Sequence, residues 1–467
     1  MIAKIIDVTN TALYSYILII LLVLGGIYFT LRTRFAQFRL LGQQLKSVME
    51  KSDKNGVSSF QALMVSTASR VGTGNIIGVA SALCVGGFGS VFWMWVIALI
   101  GAASAFVEST LAQIYKKRGS DGCCYGGPAY YIQAAMKKRW LAVVFSVFLI
   151  LTYGVGFNML ASYNLQSTFS SYSFYNASYT PWIIGFVIAA LVGYCLIGGG
   201  KRIVSVTTFI VPIMGAIYIL VAIVISALNF KLLPDVFKQI FQGAFDVKAI
   251  FGGFGGSCVM YGIKRGLFSN EAGVGSAPNA SASADVSHPA KQGLVQVLSV
   301  FIDTLLVCSA TAFMCMSSGV TPPADSDRAA SYVQQALSAT LGSAGPIFIT
   351  VAMVFFAFTT LLGNLFYVDK TIDYLAGREP SKAVRNIYYV IASLVIFVGA
   401  GLSADLLWGI ADILMGGMTL INMPVIIYLG KYAIRALKDY ERQLKTGKEI
   451  TFHTKDIDLP QETDYWN

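Results

Sequence analysis

The sequence predicts an all-α integral membrane protein with eleven transmembrane helices. Of its 467 residues, 55% are hydrophobic and only 12% are charged, whereas about 25% of the residues in soluble domains are charged. Eleven apolar segments approach or exceed the ~20 residues that a helix needs to cross a bilayer. The loops that join them alternate between many and few basic residues.

The first apolar segment is interpreted as a span and not as a signal peptide. Its apolar run continues through Gly25 and Gly26 without a small-residue cleavage site. The seven cysteines are scattered and form neither a disulfide framework nor a zinc-ligand pattern. The predicted spans lie near residues 13–31, 64–85, 91–115, 141–167, 181–197, 203–228, 250–285, 291–317, 346–367, 384–401 and 405–432.

Basic residues mark one side of the membrane. The loops after the first, third, fifth, seventh and ninth spans, together with the C-terminal tail, contain 26 of the 34 lysines and arginines, and the opposite loops with the N-terminus contain five. By the positive-inside rule the N-terminus lies outside and the tail lies in the cytoplasm, which predicts a multi-pass protein of the inner cell membrane. The net charge of +10 is therefore a topology signal, and nucleic-acid binding is not expected.

The second span contains unusual residues for a helix in lipid. Its stretch 66–78, STASRVGTGNIIG, includes Gly72, Gly74 and Arg70. Glycines allow the backbone to leave helical geometry, and the freed N–H and C=O groups must then be met by a ligand, an ion or water. Such a broken helix is typical of ion and substrate sites in secondary transporters. The alternative is a close-packing face, because Gly74 and Gly78 fit the small-xxx-small spacing.

An odd number of spans suggests one extra helix and two equal halves. Five spans per half would give the halves opposite orientations, so a break in the second span predicts a break in the seventh. The seventh segment fits, because residues 264–278, KRGLFSNEAGVGSAP, interrupt its apolar run. The alternative is a cytoplasmic loop after a short span. The predicted units are 1–62 (N-terminal helix and basic loop), 63–229 (first repeat), 230–432 (second, inverted repeat) and 433–467 (cytoplasmic tail).

Three long motifs resemble the sodium:alanine symporter family, also called alanine or glycine:cation symporters. They are TASRVGTGNIIGVA at residues 67–80, GGFGSVFWMWVIALIGAASAFVES at 86–109, and RGLFSNEAGVGSAP at 265–278. The similarity extends over nearly the whole chain. It implies the LeuT-type fold, with two inverted five-helix repeats plus one N-terminal helix, and sodium-coupled symport of an amino acid by alternating access.

A zwitterionic amino acid needs donors for its carboxylate and acceptors for its ammonium group. The amides of Thr73, Gly74 and Asn75, after the first break, would lie at a helix N-terminus, whose partial positive charge suits a carboxylate. The resemblance places Thr73 and Gly74 at the carboxylate position. Carbonyls in the seventh span would accept from the ammonium group, although Phe268 could simply pack a bent helix. The predicted substrate residues are Thr73, Gly74, Asn75, Ala161, Phe268, Ser269, Asn270 and Asn364.

A sodium ion needs several oxygen ligands. Carbonyls of Ala68 and Val71 lie at the end of the first half-helix, where the helix dipole is negative. The hydroxyls of Thr359 and Thr360 in the ninth span resemble the paired hydroxyls that complete the principal sodium site of the LeuT-type fold. The alternative is that these threonines bond back to their own helix.

Two departures from the family pattern concern the choice of substrate. Ala161 stands where many members have a glutamine, and Asn364 stands where the pattern has a tryptophan. The pocket is then roomier or more polar, so glutamine or another medium neutral amino acid is the alternative to alanine or glycine. A channel is an alternative from another class, because broken helices also line pores. No P-loop, HExxH or G-x-S-x-G motif supports a pump or a hydrolase.

Ionisable residues inside the membrane are functional candidates. Arg70 is expected to act as a gate or to pair with one of three carboxylates, Glu108, Glu271 or Asp303, among which the sequence does not choose. Asp412 in the last span is expected to mark a helix-packing contact.

Overall fold

The computed structural model describes residues 2–50, 56–119, 123–246, 258–377, 380–447 and 449–466. Helices dominate these ranges, and the strands found in them are a two-residue antiparallel pair, β1 (Lys117–Arg118) and β2 (Cys124–Tyr125). The predicted all-α membrane protein is therefore confirmed.

Nine helices of the described chain are long and apolar enough to cross a membrane, and a bent pair makes a tenth crossing. In chain order the helices are α1 (Lys4–Arg32), α2 (Ala36–Arg39), α3 (Leu41–Val48), α4 (Ser59–Arg70), α5 (Gly74–Gly86), α6 (Gly89–Ile114), α7 (Pro128–Met136), α8 (Arg139–Ser167), α9 (Thr180–Ile197), α10 (Gly199–Leu228), α11 (Leu233–Ala244), α12 (Cys258–Asn270), α13 (Pro278–Ser281), α14 (Pro289–Met316), α15 (Ala329–Leu341), α16 (Ala344–Ala376), α17 (Lys382–Gly399) and α18 (Ala404–Thr446), with 3₁₀ turns at Phe230–Leu232, Ser326–Arg328 and Thr454–Ile457.

Both predicted breaks are present. The bent pair is α4 and α5, whose axes differ by 50°. The seventh predicted span, 250–285, lies partly outside the described residues, and its described part consists of α12, the irregular stretch 271–277 and α13. The two broken helices thus occupy corresponding places in the two predicted halves.

The helix ends differ from the limits that hydropathy suggests. Helix α4 begins five residues before the predicted span, because Ser58 and Gln61 form a capping box: the Ser58 hydroxyl accepts from the Gln61 amide, and the Gln61 side chain accepts from the Ser58 amide. Helix α18 continues past residue 432 to Thr446 and buries Leu437 and Tyr440. Polar caps and amphipathic extensions carry little hydropathy signal, so a search for apolar segments misses them.

Helix α6 lies at the centre of the fold. Every residue from 101 to 114 in it is buried, and it packs against α12, α14 and α18. Small residues dominate this part of the helix, which allows its neighbours to approach closely. The second broken helix is therefore held directly against the core.

A cleft of about 1020 Å³ opens at one end of the molecule. One wall includes Val57, Gln61 and Ser283, which lie at the ends of the two broken helices that are remote from the breaks. The opposite wall includes Phe366 and Asp369 of α16. The lining comes from the loops that the alternation of charge assigns to a single side of the membrane. The predicted grouping of these loops agrees with the structure.

Candidate functional site

The first break is held open by one side chain, that of Asn75. The side-chain Oδ1 of Asn75 accepts from the backbone amide of Gly72 at 2.7 Å, while the backbone amide of Asn75 donates to the Gly72 carbonyl at 3.1 Å. In an intact helix the Gly72 amide would bond to the carbonyl of Ala68, four residues earlier. Because the amide is turned towards Asn75, the Ala68 carbonyl has no helical partner.

The start of α5 offers backbone donors. In the described chain no acceptor is found for the amides of Thr73 and Gly74. They lie at a helix N-terminus, where unpaired N–H groups and the helix dipole favour an anion. The amide of Asn75, predicted as a third donor, is bonded to Gly72, and Asn75 contributes its side chain instead.

The second break begins where α12 ends. The backbone of Glu271, Gly273 and Gly275 has positive φ values of 52°, 85° and 92°, a conformation that glycine adopts readily and other residues rarely. Helix α12 cannot continue through this stretch. Within the described residues no donor is found for its last three carbonyls, which belong to Phe268, Ser269 and Asn270. The negative end of this helix therefore offers acceptors for a cationic group.

The two breaks are joined by a buried polar cluster. The Asn75 Nδ2 donates to the Ser269 hydroxyl at 3.0 Å and to the Asp303 Oδ1 at 2.7 Å. The Asp303 Oδ2 accepts from Ser269 at 2.8 Å and from Thr304 at 2.7 Å. The ring of Phe268 lies directly on Gly74, where an added Cβ would be 2.8 Å from its Cε1. The helix end that carries the free carbonyls thus lies directly against the helix start that carries the free amides.

Thr360 presents an unused oxygen to the first break. Its Oγ1 is buried and has no hydrogen-bond partner in the described chain, and a Cβ on Gly72 would overlap it. A buried hydroxyl without a partner is costly. The carbonyls of Ala68 and Val71 have no donor among the described residues, and with this hydroxyl they provide the oxygen ligands that a hard cation needs. The residues present therefore fit a sodium ion.

Thr359 behaves differently from its neighbour. Its hydroxyl donates to the carbonyl of Phe355 at 2.9 Å and lies 3.5 Å from the sulfur of Met214. This is the back-bonded arrangement that the sequence left as an alternative. Of the two predicted hydroxyl ligands, the structure brings only that of Thr360 to the break.

Helices α8 and α16 supply polar groups around the breaks. On α8, Asn164 donates to the Thr73 hydroxyl at 3.1 Å, and Asn158 accepts from Asn364 of α16 at 2.9 Å. Asn364 in turn accepts from Ser69 at 2.7 Å. Ala161 is buried and lies one turn from both asparagines of α8, so it shares their side of the helix. Sequence reasoning missed Asn164, although its spacing from Asn158 in an apolar span was a signal.

An aromatic cover closes the site on the side away from the cleft. The Phe268 ring lies between Phe157 and Trp408, with centroid separations of 4.6 and 4.8 Å. The Arg265 guanidinium stacks on Trp408 at 3.9 Å. Asp412, expected to be a packing contact, forms ion pairs with Lys264 at 2.7 Å and with Arg265 at 3.4 Å. The cover is therefore fixed by one carboxylate that serves two cations.

Removing that carboxylate should weaken the cover. We expect Asp412→Asn to lower the free energy of unfolding by about 1–3 kcal/mol, because two largely buried cations lose their partner charge. Asp405→Asn, which removes a charge from the exposed first turn of the same helix, should cost only about 0.5 kcal/mol. Thermal unfolding of the two purified variants makes the comparison. Equal losses would show that the ion pairs do not stabilise this face.

Arg70 has a partner that the sequence did not suggest. Its Nη1 donates to Gln296 Oε1 at 2.9 Å, and within the described residues it forms no ion pair with the three candidate carboxylates. Those carboxylates instead accept from groups at the breaks: Glu271 from Ser69 and Ser276, and Glu108 from the Gly273 amide. Glu108 thus holds the irregular backbone at Gly273, and Glu271 links hydroxyl groups from the two broken helices.

Comparison with known proteins agrees with this geometry. The profile of the sodium:alanine symporter family matches residues 1–454. The amino-acid carrier protein AlsT of Bacillus subtilis is 41% identical over 99% of this chain and 97% of its own length. The probable sodium/glutamine symporter GlnT of the same organism is 41% identical over 97% and 93%. The sodium/alanine symporter AgcS of Methanococcus maripaludis is 36% identical over 94% and 97%.

Proposed function

The chain belongs to the sodium:alanine symporter family, and we propose that it carries a small neutral amino acid, alanine or glycine, into the cell together with sodium. It is a transporter and not an enzyme. The observation that carries the proposal is the meeting of two broken helices, one ending in unpaired carbonyls and the other beginning with unpaired amides. Alanine is the substrate named for the relative AgcS, a sodium/alanine symporter, and glycine is the other small substrate that the family resemblance implies.

The substrate is held at both of its charged ends. Its carboxylate accepts from the amides of Thr73 and Gly74, and its ammonium group donates to the carbonyls of residues 268–270. Opposite charges are thus matched by opposite helix dipoles. Its side chain points towards Ala161, between the asparagines of α8. The Phe268 ring must shift to admit it, because that ring covers Gly74.

Sodium binds beside the substrate and couples the two helices that form its site. Its ligands are the carbonyls of Ala68 and Val71 and the hydroxyl of Thr360. The hydroxyl of Thr359 joins them only by giving up its bond to Phe355. Because the ligands belong to α4 and α16, ion binding fixes the first break against α16. The membrane potential then contributes about 2.3 kcal/mol per charge per 100 mV to inward transport.

Access to the site alternates between the two sides of the membrane. Phe366 lines the cleft and lies six residues from Thr360 on α16, about 9 Å along the helix. The opposite side is closed by the aromatic cover. With the basic loops in the cytoplasm and the N-terminus outside, this arrangement is the inward-facing state. Exchange with the outward-facing state moves the bundle around both breaks, within the repeats proposed at residues 63–229 and 230–432.

Glutamine is a second candidate substrate. Ala161 leaves space where a larger residue would fill it, and Asn158, Asn164 and Asn364 give the surroundings amide groups. An amide side chain could bond to them, which alanine cannot do. The relative GlnT, a probable sodium/glutamine symporter, is as similar to this chain as AlsT, since both are 41% identical to it.

Uptake into liposomes tests both candidates. Purified protein is reconstituted, and entry of labelled alanine and glutamine is measured with and without an inward sodium gradient. We expect saturable uptake that requires sodium. The amino acid whose unlabelled form inhibits uptake of the other at the lower concentration is the preferred substrate. Flux that ignores sodium and never saturates would support a channel. No flux above empty liposomes for either amino acid would refute the proposed substrates.

A further inference from the structure

Residues 449–466, here called the strap, fold back onto the end of the molecule where the cleft opens. One part of the strap is tied to α18. The Gln443 side chain forms two bonds with the backbone of Thr451, at 2.8 and 3.0 Å, and Arg435 donates to the carbonyl of Ile457 at 3.0 Å. The strap is therefore anchored to a long helix that extends from the membrane span.

The other part of the strap reaches the end of α6. Trp466 donates its indole N–H to the carbonyl of Gln113 at 2.7 Å, and the Tyr465 hydroxyl donates to the Asp285 carboxylate. The Lys116 ammonium lies 3.8 Å from the centre of the Tyr465 ring and 4.9 Å from that of Trp466. These aromatic rings cover a cation that is fully buried, which makes the cation–π attraction strong.

The covered region, here called the joint, is where Val57, which precedes α4, meets Ala284 and Asp285, which follow α13. It connects the ends of the two broken helices that lie away from the breaks. Ala284 follows α13, and its carbonyl accepts from Gln113 and from Lys116, each at 2.9 Å. The next amide, that of Asp285, donates at 2.9 Å to the carbonyl of Val57, which directly precedes the cap of α4. Any movement of the broken helices at this end must therefore move the joint.

The joint also forms one wall of the cleft. Val57 and Ser283 line it on this side, and Phe366 of α16 lines it on the other. Opening and closing the cleft changes the distance between these walls. The strap links the joint to α18, so a movement of the joint relative to α18 would break the contacts that Tyr465 and Trp466 make with the joint.

We propose that the strap is a conformational latch. When the cleft is open, Tyr465 and Trp466 bind Lys116 and Asp285 and thereby stabilise the state in which the substrate site opens towards the cleft. The proposal rests on the alternating-access function proposed above. It adds a contact outside the sodium and substrate site that sets how often the site faces each side.

Lys116 is suited to a reversible contact. Burial lowers the pKa of its ammonium group to about 8, although Cys124 and Asp285 act in the opposite direction. The ammonium group therefore needs the rings and the Ala284 carbonyl while it is covered. When the strap leaves, water can replace the rings, so release exposes a cation that is readily hydrated.

The test is the apparent affinity for substrate supplied from the outside. If Trp466→Ala releases the latch, the outward-facing fraction rises, and the external KM should fall by about 3- to 10-fold at saturating sodium, because apparent affinity scales with the population of the competent state. Trp466→Phe keeps a ring but loses the bond to Gln113, so its KM should lie between that of the unaltered protein and that of Trp466→Ala. KM does not depend on the amount of folded protein, so a lower yield does not affect the reading.

Trp140→Ala is the matched control, because Trp140 is 65% exposed at the start of α8. Its KM should equal that of the unaltered protein. An unchanged or raised KM in Trp466→Ala, or an equal fall in Trp140→Ala, would overturn the latch. Absence of sodium-dependent uptake in the unaltered protein would instead refute the proposed function, so the two failures are distinguishable.

Discussion

Replacing Thr360 by alanine is expected to raise the sodium concentration for half-maximal uptake by roughly 10- to 150-fold, the equivalent of the ~1.5–3 kcal/mol that a hydrogen-bonding group contributes to a charged partner. The Thr360 hydroxyl is buried, has no partner in the described chain and faces Gly72. It is therefore free to bind a cation without breaking another bond. The measurement is uptake into liposomes at a series of external sodium concentrations.

Thr359→Ala is the control for this prediction. The two variants make the same substitution at neighbouring buried positions of α16, but the Thr359 hydroxyl is bonded to its own helix. We expect the sodium concentration for half-maximal uptake to shift by less than about threefold in this variant. The substitution removes a bond to the Phe355 carbonyl, which is already bonded within the helix. Thr360→Ser, which keeps the hydroxyl, should retain most of the affinity. Equal effects of Thr359→Ala and Thr360→Ala would show that both hydroxyls bind the ion.

The contrast between these threonines shows what sequence could and could not predict. The pair was identifiable from Thr359-Thr360 in an apolar span, and the resemblance gave it a role. Which hydroxyl faces the break depends on rotation of α16 about its axis, and adjacent residues on a helix point about 100° apart. That rotation is fixed by contacts such as Gly363 against the Ser69 backbone, where an added Cβ would lie 2.6 Å from the Ser69 nitrogen. Packing, and not local sequence, made the choice.

Both breaks were predictable, because glycines and charges inside an apolar segment are a local signal. The partner of Arg70 was not, since three carboxylates were available on charge alone and the structure uses the neutral side chain of Gln296. A charged group in the membrane is usually assigned to an opposite charge, but here Glu108 accepts from the Gly273 amide and Glu271 accepts from the Ser276 hydroxyl. Polar groups at the breaks thus occupy the carboxylates that charge alone would assign to Arg70.

Asn75→Ala is expected to abolish transport almost completely, reducing sodium-dependent uptake by roughly 100-fold or more. The substitution removes the acceptor of the Gly72 amide and a donor to Asp303, and each buried group left unpaired costs about 1–3 kcal/mol. The effect should reach both ligands. A freed Gly72 amide can bond to the Ala68 carbonyl and restore the helix, which removes one sodium ligand and closes the gap that exposes the amides of Thr73 and Gly74.

Asn279→Ala separates this role from the general loss of a buried asparagine. Asn279 is also buried, but among the described residues its side chain donates only to the carbonyls of Gly275 and Ser276 in its own turn. Its variant should keep uptake within about threefold, because those carbonyls can still be met by water or neighbouring groups. Thermal unfolding of both variants tests whether they are folded. If Asn75→Ala is folded and retains sodium-dependent uptake, then the break opens without its cap, and the geometry of α4 and α5 must be set by α16 instead.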